Sequence, residues 1–372
     1  MTSKRAGAGM PSRGFPRASI LVAVIAAAAG LAMLAGLAGG LVRIGWPLLP
    51  ERFVAPVALH SALMVCGFFG FGIALERAAA LKKPIAFAAP ALAACGTVAA
   101  LALQPGLAGL FWLLAALALV TVYAEVLRRA PALYTAIEGA GALAWAGGTL
   151  WWLLARPFST VVAWWASFLV LTIVGERREL ARFVPLSAQS RRGYVAVAGV
   201  QAAALALLVM PGLEHPLAGG LWWLSMSLFA GWLLRYDLAC RPQVQRLGWT
   251  LHTARSLRLG YLWMLLAGLW GAVNALRGMP LDSPGPLHML LLGFVFSMVF
   301  GHAPIMLPAL LRRPISPPGP FAFAPVGLMA LGVALRAVGD VIGSGGVRAG
   351  AGALQAAAIV GFAFTMIRHL RR

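Results

Sequence analysis

The chain alternates between long apolar runs and short polar or basic connections along nearly its whole length. Twelve runs are predicted as helices: 18–42, 53–75, 85–103, 107–127, 132–155, 158–174, 193–210, 217–234, 259–276, 286–311, 321–339 and 349–367. At about 1.5 Å of rise per residue, runs of about twenty residues cross a hydrocarbon core of roughly 30 Å. Lipid offers nothing to unpaired N–H and C=O groups, so a helix, which pairs them internally, is the expected state. The fold class is therefore all-α, a polytopic transmembrane bundle of about twelve helices. Pro90 and Pro325 fall inside the third and eleventh runs and are expected to interrupt them.

Composition agrees. Of 372 residues, 61% are hydrophobic and 11% charged, more apolar surface than a soluble protein of this length could hide. The 43 glycines suit close helix contacts in lipid. A net charge of +20 would ordinarily suggest nucleic acid. The Lys and Arg residues instead sit in short loops between apolar runs, which argues against a nucleic-acid partner and for the lipid bilayer. Of the 30, 24 lie in the N-terminus, the loops after even-numbered helices, and the C-terminus. The positive-inside rule then puts both ends in the cytoplasm. The expected organisation is a basic N-terminus (1–17), one transmembrane domain (18–367) with a cytoplasmic linker (235–258), and a basic tail (368–372). The first run is too long for the core of a cleaved signal. Three cysteines, Cys66, Cys95 and Cys240, imply no disulfide framework.

The even helices end alike. Glu76-Arg77, Glu125 with Arg128 and Arg129, Glu176-Arg177-Arg178, and Arg235 with Asp237 each close a run and are followed by a proline. The pattern is either a repeated hairpin or the ordinary chemistry of a cytoplasmic helix end. The linker 235–258 carries five arginines and is expected to hold a short amphipathic helix on anionic lipid, as other cytoplasmic loops would contact anionic lipids.

Polar groups within a bilayer call for an explanation, and histidine is the informative type here. His369, His215 and His252 fall in a tail or loops and are expected at the surface. His60, His288 and His302 fall inside spans. His60 and His288 lie at matched depth in the outer third, on helices running in the same direction. Two facing imidazoles are what bis-histidine haem ligation requires, while each could instead bond singly to a backbone carbonyl or serine. His302 is fourteen residues past His288, about 40° round and roughly 21 Å deeper. It sits in Gly301-His302-Ala303-Pro304, where the proline frees the carbonyl of Phe300. That is either a ligand or proton site or a packed kink with His302 capping the carbonyl. Met64, one turn below His60, could join it in holding copper, or simply pack. Glu138, with Tyr134 one turn before it, could relay protons or snorkel to the interface. Arg336 and Asp340, one turn apart, pair with each other, or Arg336 neutralises a haem propionate.

There is no Cys-x-x-Cys-His, Walker loop, dinucleotide fingerprint, HExxH or GxSxG, so covalent haem, nucleotide-driven transport and soluble-type hydrolysis find no support. His60-Ser61-Ala62-Leu63-Met64 in a glycine-rich second helix resembles the low-spin haem ligand helix of haem-copper oxidases. The chain lacks the His-x-His of the oxidase tenth helix and the histidine cluster that holds the oxidase copper, so the oxidase active centre is not implied. Together with Pro286-Leu287-His288-Met289-Leu290 running on to Gly301-His302, the His60 helix is similar to the NnrS family of twelve-helix haem and copper proteins. That resemblance implies haem b, and copper, at candidate ligands drawn from His60, His288, His302 and Met64, with Arg336 on a propionate. It also implies a place in the bacterial inner membrane, in nitric oxide stress or denitrification and respiratory redox metabolism, among the proteins of those systems. The alternatives are a secondary transporter or channel built on helices broken at Pro90, Pro304 and Pro325, and a non-catalytic assembly protein.

Overall fold

The computed structural model describes residues 16–47, 54–210, 216–241, 247–311 and 313–370. His215, Arg52 and the basic residues of 1–15 lie outside the described residues. Every described element is helical, and helices occupy all twelve predicted segments. They are α1 (Pro16–Arg43); a second rod of α2 (Val54–Ala58), α3 (His60–Ala62), a first π segment (Leu63–Gly70) and α4 (Phe71–Leu81); α5 (Ala88–Leu101); α6 (Pro105–Arg129); α7 (Leu133–Leu153); and α8 (Phe158–Leu180). Then follow α9 (Ala188–Leu207); α10 (Pro216–Tyr236); α11 (Gly248–Leu276); a tenth rod of α12 (Pro284–His288), a second π segment (Met289–Val295) and α13 (Phe296–Leu311); α14 (Ala324–Val341); and α15 (Gly345–Leu370). Among the described residues, nine helices are long and apolar enough to cross a membrane.

Two boundaries correct the sequence reading. The proline of the eleventh run starts a helix rather than interrupts one: Pro325 is in the first turn of α14. In the third run the helix does change character near its proline, from a 3-10 turn, Pro84–Phe87, to α5 just ahead of Pro90. The linker is also shorter than expected: α11 starts at Gly248, so the described part of 235–258 holds only a 3-10 turn, Leu238–Cys240, and no separate surface helix.

Sequential helices pack as hairpins, α7 on α8, α10 on α11, and α14 on α15. Enclosure is uneven. The apolar window of α8 is 83% buried, against 39% for α14 and α15, so α8 lies at the centre. It touches both π segments. The second, sixth and tenth rods, four apart in the chain, thus form the middle of the bundle.

Lipid gives helices no hydrophobic reason to associate, so fit decides which faces meet. Here the fit is largely tryptophan against glycine. A Cβ on Gly70 would lie 2.5 Å from the Trp145 ring, and one on Gly96 2.5 Å from that of Trp112. Gly271 lies against Trp223 in the same way. Backbone meets backbone at Gly39 of α1, where a Cβ would overlap the Pro56 carbonyl of α2. Gly39→Ala should therefore push α1 away and destabilise the protein by about 1–3 kcal/mol, the usual range for overpacking. Gly30→Ala, with nothing within 4 Å of its Cβ, should be neutral. Thermal unfolding of the two purified variants checks this, and equal midpoints would refute it.

Candidate functional site

His60 opens α3 and leans on α1. A Cβ at Gly40 would lie 2.7 Å from His60 Cε1, and one at Gly36 2.8 Å from Met64 Sδ, so two glycines on α1 make room for both side chains. His60 Nδ1 lies 2.6 Å from the Gly36 carbonyl oxygen. A carbonyl only accepts, so Nδ1 carries the proton and donates, and Nε2 keeps its lone pair. His288 repeats the arrangement, with Nδ1 donating to the Pro284 carbonyl at 2.8 Å. Both rings are half-buried. They lie within electrostatic range of each other, and the charges of Arg43 and Arg336 reach both.

His288 directly precedes a π segment, and His60 stands three residues before the start of the other. Such wide turns are rare and concentrate at functional sites. A π turn advances fewer degrees per residue than the 100° of an α-helix, which brings the eighth residue after each histidine back towards the histidine's face. Those residues are Phe68 and Phe296, and their rings stack at 6.4 Å with planes 13° apart. The two histidine-bearing helices thus turn corresponding faces to a common space, floored by this pair.

Arg336 of α14 stands beside this space. Its Nε lies 4.0 Å from Asp340 Oδ2, too far for a hydrogen bond, while Arg348 Nη1 is 3.7 Å from Asp340 Oδ1. The Arg336 side chain is 9% exposed. Its buried Nε and Asp340 Oδ2 have no hydrogen-bond partner. The expected ion pair is present but loose, and it leaves a buried donor directed at nothing, which suits an incoming carboxylate.

Residues 21–371 match the family described as Domain of unknown function (DUF8744). The chain belongs to this family. No curated protein and no solved structure matches it.

In this DUF8744 chain, His302 stands apart from His60 and His288. Its Nδ1 donates to the Met298 carbonyl at 2.9 Å, as in the other two histidines, but its Nε2 accepts from Arg177 Nη1 at 3.0 Å. Arg177 in turn grips Asp237 with two bonds, Nε to Oδ2 at 2.9 Å and Nη2 to Oδ1 at 3.0 Å. Asp237 Oδ1 also accepts from the Ala239 amide at 2.7 Å, capping the 3-10 turn. In this arrangement the lone pair of His302 is occupied by an arginine. The Phe300 carbonyl freed by Pro304 is satisfied by His252 Nε2, at 3.1 Å, and not by His302. His252 was expected at the surface of a linker; it is instead 5% exposed inside α11. Beside it, Thr253 donates to the Gly301 carbonyl at 2.7 Å.

The other charged helix ends of the DUF8744 chain also turn inward. Arg77 of α4 meets Glu179 at 2.7 Å and both Glu176 and Glu138 at 3.4 Å, with its guanidinium 5.6 Å from the centre of the Tyr123 ring. Glu138 is fully buried and does not snorkel. Neither of its oxygens has a hydrogen-bond partner. The sequence marks Arg77 and Glu176 as cytoplasmic helix ends and Glu138 as a proton relay or a snorkelling carboxylate, while Glu179 and Tyr123 carry no such mark. The signal that could have separated them is the excess of carboxylates over lone arginines at helix ends that must pack side by side. Among the described residues, no three of His, Cys, Asp and Glu gather into a metal-holding group. A haem held from two sides needs only two axial side chains, not three. Burial pushes the Cys240 thiol up to about 11, so it is neither thiolate nucleophile nor ready metal ligand at neutral pH.

Proposed function

We propose that this DUF8744 protein is a multi-pass membrane haem protein in which His60 and His288 hold one haem b between the second and tenth helices. The observation that carries this reading is the shared state of the two rings. Each has Nδ1 tied to a backbone carbonyl and an Nε2 lone pair directed away from that bond, on helices that face one space. Outer partners of this kind fix the tautomer and orientation of a metal-ligating imidazole. Glycines 36 and 40 hold the His60 side in place, and Arg336, with Arg43 near, would neutralise propionates. Bound there, haem would supply one-electron chemistry. With both axial positions taken by the protein, its role would be electron transfer rather than ligand capture.

The wider reading rests on the likeness of the His60 and His288 segments to the NnrS family. It gives the bacterial inner membrane and a part in nitric oxide stress or denitrification and respiratory redox metabolism, while twelve spans with both ends in the cytoplasm rest on the apolar runs and the 24 to 6 split of basic residues. Copper at His60 and Met64 belongs to the same likeness. Purified protein should show a Soret band at about one haem per chain; a colourless, fully folded preparation from haem-replete cells would end the proposal in favour of a transporter. For topology, reporter fusions after Arg129 and Arg182 should read cytoplasmic and those after Arg156 and Gly278 external. The reverse pattern would overturn the orientation.

A further inference from the structure

The arginine-rich end of the bundle contains a cavity of about 400 Å³ between the start of α7, the end of α8 and the start of α9. Its lining includes two guanidinium side chains, Arg178 and Arg191, and two tyrosines, Tyr134 and Tyr194, with no carboxylate. The first turn of α7 forms another wall, and no side chain caps that helix. Uncapped amides and the positive end of the helix dipole favour an anion there. Arg178 is held in place by donating Nη1 to the Ala181 carbonyl at 2.5 Å. Tyr194 is fixed by donating to the Val174 carbonyl at 3.2 Å and by packing on Trp232 at 4.7 Å. The polar wall is thus preorganised. The rim is apolar, with Leu133 and Leu186 lining the cavity and Leu133 37% exposed.

We propose that this cavity binds the phosphate group of an anionic phospholipid, with the glycerol and acyl chains lying along the Leu133 and Leu186 rim. Two arginines and a helix N-terminus match the charge and geometry of a phosphate. An apolar rim at the level where helices end is of use to a ligand with chains, and of none to free phosphate. Basic pockets between transmembrane helices hold lipid headgroups in this manner. The inference depends neither on haem nor on which face of the membrane the cavity meets.

Native mass spectrometry of the full-length protein in detergent tests it, with phosphatidylglycerol, phosphatidylcholine and inorganic phosphate as probes. One phosphatidylglycerol per chain should survive activation that strips phosphatidylcholine. Arg178→Gln/Arg191→Gln should weaken its retention by about tenfold or more, at roughly 1 kcal/mol per basic residue. Arg128→Gln/Arg129→Gln, at exposed arginines already paired with Glu125, should leave it unchanged. Arg191→Gln alone, at an exposed position, should weaken retention several-fold even if the double variant does not fold. Unchanged retention in Arg191→Gln, or equal loss in the Arg128 and Arg129 variant, would overturn the proposal. Displacement of the lipid by millimolar inorganic phosphate would replace it with a free-phosphate site.

Discussion

Alanine at His60 or at His288 should lower the haem content of the purified protein by more than tenfold, or leave a spectrum changed in the Soret region. Removing one imidazole opens an axial position and leaves the remaining ring to hold the iron alone. The bundle should persist, because His288 bonds only within its own helix, to Pro284, and His60 contributes a single bond, to Gly36 of the neighbouring α1. Added imidazole should restore a six-coordinate spectrum in either variant, a response that a merely destabilised protein would not give. His302→Ala should keep the Soret band, since its Nε2 faces Arg177. Full haem occupancy with unchanged spectra in both the His60 and His288 variants would refute the assignment.

Asp237→Ala should be the most destabilising single change at the arginine-rich end of the bundle. It removes both carboxylate acceptors of a nearly buried Arg177, whose side chain is 8% exposed, and leaves that charge beside the neutral His302 and Tyr261. Breaking one partner of a buried pair typically costs about 3–5 kcal/mol. The Ala239 amide loses its cap as well. Replacing both members, Arg177→Met with Asp237→Leu, should recover much of that loss, because no charge is then left unpaired. Thermal unfolding of the single and double variants in the same detergent measures the difference. A single variant as stable as the unmodified protein would show that the pair is solvated and that its burial does not matter.

The helices were legible because in lipid only one secondary structure satisfies the backbone, so an apolar run of sufficient length is also a helix. That His60 and His288 stand on helices close enough for their charges to interact was legible for the same reason: position along a helix sets level in a bundle. The π segments were not, since Leu63–Gly70 and Met289–Val295 are as apolar as any α-helix and only hydrogen-bond register distinguishes them. The start of α11 was missed because Arg255 and Arg258 look like loop residues, whereas a helix can extend past the apolar core. His252 was misjudged with it. Rotation was the other hidden quantity. Glu76-Arg77, Glu176-Arg177 and Asp237 read equally well as outward or inward, and only the neighbouring helices decide which.

The tryptophan–glycine contacts carry a consequence for how sequences of this family diverge. Where Trp145 rests on Gly70, Trp112 on Gly96 and Trp223 on Gly271, neither partner can drift alone. A larger residue in the glycine position collides with the ring, and a smaller one in the tryptophan position leaves a void that lipid cannot enter. Lineages should therefore exchange such partners together or not at all. The tightest correlated columns in this family should fall on these pairs, many residues apart in the chain, and would allow the bundle's helix neighbours to be reconstructed from inheritance alone.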